Sequence, residues 1–95
     1  MSGLKNPGGK RRWYLLNPLL RQVEDCVKVI ESGADKYAPN NWQENVKERF
    51  EYYQSAIMRH LTAYFKGEKI DKDSKLPHLA HVVVNAWFMM WRDDE

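Results

Sequence analysis

Residues 77–92 read Pro77-His-Leu-Ala-His81-Val-Val-Val-Asn85-Ala-Trp-Phe-Met-Met-Trp-Arg92, and this stretch decides the fold. Proline suits the first turn of a helix, where its missing N–H would have no partner anyway. Leu79, Ala80, Val82, Val83, Val84, Ala86, Trp87, Phe88, Met89 and Met90 then leave almost no polar side. A helix apolar all round is a buried one. The valine run has strand propensity, but the length of the stretch and its proline start favour helix. The exceptions are His78, His81 and Asn85, three and four residues apart and so on one face. A buried polar group with no partner costs roughly 1–3 kcal/mol, so three on one stripe imply an organised set of partners.

Working back along the chain, Glu68, Asp71, Asp73 and Ser74 crowd the loop from Glu68 to Leu76. Gly67 is a natural terminator for a preceding helix, predicted from about Glu44 to Lys66. Its inward stripe is Val46, Phe50, Tyr53, Ile57, Leu61 and Tyr64, and His60 lies on or beside that stripe. An antiparallel return through a short loop brings His60 toward His78 and His81. Further back, Asn17-Pro18 marks a helix start. Leu19, Val23, Cys26 and Ile30 recur at helical spacing until Gly33, and an Asn- and Pro-containing loop runs from Ala34 to Trp42. The fold class is therefore all-α, a compact bundle of about three main helices. Residues 1–12 read as a flexible basic arm and 13–95 as a single helical domain.

Ninety-five residues with 43% hydrophobic side chains support one small core, and a homo-oligomer is expected to complete it. A single cysteine, Cys26, excludes an intramolecular disulfide and a cysteine-rich metal knuckle. Met1 to Pro7 holds no apolar leader core, and Val82 to Trp91 is too short to span a bilayer, so a cytoplasmic, membrane-free protein is expected. A net charge of +2 is too weak to argue for nucleic acid, which is not the expected partner. Lys5, Lys10, Arg11 and Arg12 nevertheless crowd the start, where they either serve phosphates or form a solvated tail.

The candidate chemistry gathers around His60, His78 and His81 with Glu68 or Asp71. Imidazoles joined by carboxylates suit Mn, Zn, Co or Fe, whereas Mg prefers oxygen ligands. A lone helical histidine is more often a hydrogen-bonded residue than a ligand, Asn85 could simply tie helices together, and Glu68 and Asp71 could be ordinary loop acids. The spacing Glu48-Arg-Phe-Glu51 followed by Glu68-Lys-Ile-Asp71 also resembles the MazG-like all-α nucleoside-triphosphate pyrophosphohydrolases. There, acids one turn apart on facing helices converge on Mg. Here Glu68 and Asp71 follow Gly67 on a loop, and Glu51 points away from His60, so Glu48 and Glu51 stay open between ligand and surface.

A longer run of elements is more specific. Gly9-Lys10-Arg11-Arg12-Trp13, Gly33-Ala34-Asp35-Lys36-Tyr37, Asn40-Asn41-Trp42, Arg59-His60-Leu61, Gly67-Glu68, Asp71, Asp73-Ser74, His78-Leu79-Ala80-His81 and Asn85 fall in one order over residues 9–91. In that order they resemble the small phage dATP/dGTP diphosphohydrolase family. Two positions depart from the family pattern: Tyr14 stands where an acid often follows the Arg-Trp pair, and Lys75 where a glycine commonly follows the second loop's serine.

The resemblance implies a hydrolase that converts a purine deoxynucleoside triphosphate, dGTP or dATP, into the monophosphate and pyrophosphate, and the histidine–carboxylate cluster adds the expectation that it is metal-dependent. A divalent cofactor (Mg, Mn or Co) is therefore expected and, for a phage-encoded chain, the host cytoplasm. Carried onto this sequence, His60, Glu68 and His81 are the expected catalytic groups. The expected metal ligands are His60, Glu68, Asp71, His78 and His81. Substrate contacts fall to Lys10, Arg12, Lys36, Tyr37, Asn41, Trp42, Arg59 and Asn85. Lys36, Arg59 and the arm offset phosphate charge, Trp42 or Tyr37 stacks on the purine, and Asn41 reads its edge. Trp42 as a core residue and Lys36 as a surface charge are the structural alternatives. A non-catalytic phage helical adaptor, binding a nucleotide or host protein, is the rival class.

Overall fold

The structure, a computed structural model, describes residues 7–95. Lys5 and most of the stretch inspected for a leader lie outside the described residues. A short 3-10 segment over Trp13–Leu19 leads into α1 (Leu20–Lys36), followed by α2 (Asn41–Glu48), α3 (Phe50–Phe65) and α4 (His78–Asp93). Among the described residues there is no β-strand, only an isolated antiparallel bridge between Ile70 and Pro77. The all-α expectation therefore holds.

Helix boundaries differ from the sequence reading, beginning with the start expected at Asn17-Pro18, which lies inside the 3-10 segment, so that α1 begins only at Leu20. Helix α1 continues through Gly33 to Lys36, so the expected loop from Ala34 shrinks to residues 37–40, where the Tyr37 N–H closes on the Gly33 carbonyl at 3.1 Å. Asn40 takes φ 64 before α2, a left-handed conformation that asparagine tolerates better than most residues. The single helix expected from Glu44 to Lys66 is broken at Arg49, whose φ −129 and ψ 50 are not helical. Nothing local demands that break, since no glycine or proline lies between residues 44 and 66. Both pieces pack on the same helix.

That helix is α4, which touches α1, α2 and α3 in turn. Cys26, Ala80 and Val84 form its buried seam with α1, flanked by Val29, Ile30 and Phe88. Val46 and Val84 are the largest side chains wholly removed from water. Yet α4 is not buried all round: Leu79, Val83, Trp87 and Met90 form an exposed row. The lead-in segment is exposed as well, and Leu19, expected in the α1 stripe, lies open to solvent.

The hairpin between α3 and α4 is tightly built. Gly67 has φ +106, its N–H reaches the Tyr64 carbonyl at 2.9 Å, and the Glu68 N–H reaches Ala63 at 3.0 Å. This paired closure of the last helical turn needs a residue at positive φ, which glycine supplies. Past it, the Asp71 N–H bonds the Leu76 carbonyl and the His78 N–H bonds Lys69, both at 2.9 Å, which fixes where α4 begins. Glu68, Asp71 and Ser74 are thereby held over the first turns of α4.

Candidate functional site

His60 on α3 and His78 and His81 on α4 meet beneath this hairpin. His60 and His78 share an Nδ1···Nδ1 hydrogen bond of 2.8 Å. The His60 and His81 rings stack 4.3 Å apart at 4°. A bond between two Nδ1 atoms requires one to be bare, so at least one ring is neutral. Burial, followed by the neighbouring His81 and His78, pushes His60 down to about 4. His81 also lies below the ordinary histidine range, again chiefly through burial, although Asp71 works against the shift. His60 and His81 are therefore uncharged at neutral pH and keep their lone pairs.

The loop supplies the oxygens. Asp71 Oδ2 accepts the Ser74 N–H at 3.1 Å, an Asp-initiated turn. Burial alone would raise the Asp71 carboxyl, but hydrogen bonds from Ser74 and the nearby His81 outweigh it and leave it lowered. Ser74 Oγ lies 2.7 Å from His81 Nε2 and also accepts the Leu76 N–H at 3.2 Å. Asp71 Oδ2 is 3.7 Å from His81 Nε2, and Glu68 Oε2 is 3.5 Å from His78 Nε2. His78 Nε2 is buried without a hydrogen-bond partner.

These facts bear on a metal. Two ligands on one ion with bonds of about 2.1 Å sit roughly 3.0–3.4 Å apart, so each His–carboxylate pair is spaced slightly wide of that. The orphaned His78 Nε2 lacks a partner that an ion would supply, and an N/O donor set suits a divalent transition metal. Against this, no group of three His, Cys, Asp or Glu side chains among the described residues is arranged to hold an ion. His60 spends its Nδ1 on His78 rather than on a common point. The donors form two separate His–carboxylate pairs, Asp71 with His81 and Glu68 with His78, and not the five-residue cage expected from sequence.

Around the cluster opens a polar cavity of about 410 Å³ lined by His60, His78, His81, Asp71, Lys36 and Arg59, among others. Glu68 borders a separate groove on the other side of Arg59 and Ala63. Lys36 and Arg59, proposed from sequence as phosphate contacts, do come to the histidines. Lys10 and Arg12 are exposed and line none of the cavities described here. Asn85 donates to the His81 carbonyl one turn back at 2.8 Å and so ties its own helix, while still bordering a neighbouring cleft. Glu48 and Glu51 are exposed on either side of the break at Arg49 and line no cavity, so this structure does not bring them to Glu68 and Asp71.

A second, apolar cavity of about 290 Å³ lies between α1, α2 and α4, with Tyr37, Asn41, Trp42, Tyr53 and Phe88 in its wall. Its size is near the lower end for small-molecule sites. Trp42 stacks on Phe88 at 4.1 Å and 8° and meets the edge of Trp91 at 4.9 Å. One Trp42 face is thus already covered, whereas Tyr37 is 74% exposed at the rim. Tyr53, placed by sequence in the core stripe, borders this cavity too and directs its hydroxyl to the Trp42 carbonyl at 3.4 Å. The sequence places Ser74 among the oxygen-bearing side chains of the loop without giving it a role, and assigns Tyr53 to no site. The hydroxyl beside Asp71 was the available signal for Ser74.

The family described as dATP/dGTP diphosphohydrolase, N-terminal, matches residues 1–95. A dATP/dGTP diphosphohydrolase of Salmonella phage PMBT28 is 32% identical over 91 residues, which cover 96% of this chain. The chain spans about 30% of that relative's length. No solved structure matches. Among the described residues, no helix is long and apolar enough to cross a membrane.

Proposed function

The chain belongs to the dATP/dGTP diphosphohydrolase family, as its N-terminal region, and from that premise we propose that it hydrolyses purine deoxynucleoside triphosphates to the monophosphate and pyrophosphate. One observation carries the reading. Three histidines, of which burial lowers the proton affinity of His60 and His81, two carboxylates (Asp71 and Asp73) and two cations border a single polar cavity, with an aromatic one nearby. Neutral imidazoles and an ionised Asp71 are the forms that ligate a cation or accept a proton from water.

The residues have separable tasks. Tyr37 packs on the purine, and Asn41 bonds its edge. Trp42, braced by Phe88, forms the floor. Lys36 and Arg59 offset the charge of the phosphate chain. Asp71 with His81, and Glu68 with His78, would hold a divalent ion, which when bound lowers the proton affinity of water and neutralises triphosphate charge. The attacking water gives its proton to the Asp71 carboxylate, since His81 Nε2 as an ion ligand would have no lone pair left to accept it. Its oxygen bonds to phosphorus as the bridging P–O bond breaks and pyrophosphate leaves. His60, held near 4, keeps His78 oriented rather than storing a proton.

The test is release of pyrophosphate from dGTP and dATP with Mg, Mn or Co. Turnover abolished by His81→Ala in a folded variant supports the reading, and no turnover with any of the metals rejects it. A second reading, an adaptor docking on another protein, draws on the exposed row Leu79, Val83, Trp87 and Met90. It predicts a host protein that co-purifies and is lost when Val83 and Trp87 become polar.

A further inference from the structure

A third cleft separates the two cavities. It holds about 570 Å³ and is lined by Arg49, His81 and Asn85 together with Tyr37, Asn45 and Tyr53. Tyr37, Asn45 and Tyr53 also border the aromatic cavity, and His81 also borders the polar one. The compartments therefore follow one another in the order aromatic, middle, polar. A ligand with a base at one end and two phosphates at the other must pass its remaining phosphate through the middle.

The middle compartment is electrically one-sided. No acidic side chain lines it, and Arg49 is its only permanently charged residue. Among the described residues no carboxylate lies within ion-pairing distance of Arg49. Its guanidinium sits 5.3 Å from the centre of the Tyr52 ring, an arrangement that limits its motion but leaves its N–H donors for an anion. The backbone contributes as well. Residue 49 is where the long helix breaks, although no proline or glycine causes it. The Arg49 N–H still bonds Asn45 at 2.7 Å, and its carbonyl accepts the Tyr52 N–H at 2.9 Å, so the break loses little hydrogen bonding. In an unbroken helix the residues after 49 would carry on the α2 axis; the break lets α3 set off in a new direction with Arg49 at the corner.

Resting on the nucleotide reading above, we propose that this cleft is an anion subsite in which Arg49 binds the phosphate nearest the sugar, the one retained by the monophosphate product. Lys36 and Arg59 in the polar cavity then face the two phosphates that leave. The division has a measurable signature, because a group that binds the retained phosphate acts on substrate and product alike.

The experiment measures binding by calorimetry of deoxyguanosine, dGMP and a non-hydrolysable α,β-methylene analogue of dGTP to the wild type, Arg49→Gln and Arg49→Lys. The subsite predicts that Arg49→Gln weakens dGMP and the analogue alike, roughly 10- to 100-fold, leaves deoxyguanosine unchanged, and is partly rescued by Arg49→Lys. Equal weakening of all three ligands would mean a structural role and overturn the proposal, as would unchanged dGMP binding. A wild type that binds none of the three overturns subsite and nucleotide reading together. Arg49-dependent binding without pyrophosphate release overturns hydrolysis alone, and release with binding indifferent to Arg49→Gln overturns the subsite alone.

Discussion

Acidifying the metal-free protein from pH 7.5 to pH 5.0 should destabilise it through His60 before any carboxylate titrates. An unfolded histidine takes up its proton near 6.5, but burial and two neighbouring imidazoles hold His60 to about 4 in the fold. Between those values the unfolded chain binds more protons than the folded one, so stability rises with pH and is lost as pH falls from 6.5 toward 4. At pH 5.0 the loss is at most ~2 kcal/mol. Solvent at this half-buried ring reduces that to about 1 kcal/mol, or ~4–8 °C in Tm for a domain of this size. His81, also lowered, adds in the same direction. Asp71 adds a further loss only below its ordinary carboxylate range, because its folded carboxyl holds protons less tightly than the unfolded one. The assay is thermal melting followed by circular dichroism in EDTA at both pH values, with His60→Gln as comparator and proton NMR titration of the ring. An NMR midpoint near 6.5, or a Tm equal at pH 5.0 and 7.5, would refute the reasoning. So would a pH slope that His60→Gln leaves intact.

Other outcomes follow from the same contacts. Gly67→Ala should lower stability by about 1–2 kcal/mol, because φ +106 is a conformation that alanine rarely adopts; an unchanged urea midpoint would contradict the turn geometry. Trp42→Ala should cost ~3–5 kcal/mol by stripping the face of Phe88 and the edge of Trp91, whereas Tyr37→Ala, at an exposed site, should leave the melt within a few degrees and weaken purine binding; reversed effects would exchange their roles. Manganese or cobalt should raise Tm in proportion to ln[metal], and Asp71→Asn should remove much of that rise; stabilisation indifferent to Asp71→Asn would take the ion away from this loop.

Periodicity and punctuation carried much of the fold. The 3–4 spacing of apolar residues, Gly67 as a stop and Pro77 as a start made an all-helical chain with an α3–α4 hairpin readable, because those signals act within one or two turns. They also delivered the stripe of His78 and His81 and, through the short return, its meeting with His60. What the string could not give was set by contacts between residues far apart. The break at Arg49 has no local cause, and α2 and α3 pack as separate pieces on one helix, so Glu48 and Glu51 end on different helices. Helix α4 looks uniformly buried in sequence, yet among the described residues three helices pack on it and leave Leu79, Val83, Trp87 and Met90 open. The choice each imidazole nitrogen makes between a neighbouring ring, a serine hydroxyl and a carboxylate depends on ångström-scale placement of α3 against α4 and their loop. Residue spacing along the chain fixes the face on which a side chain stands, while only the packing of separate elements fixes what its donor atoms reach.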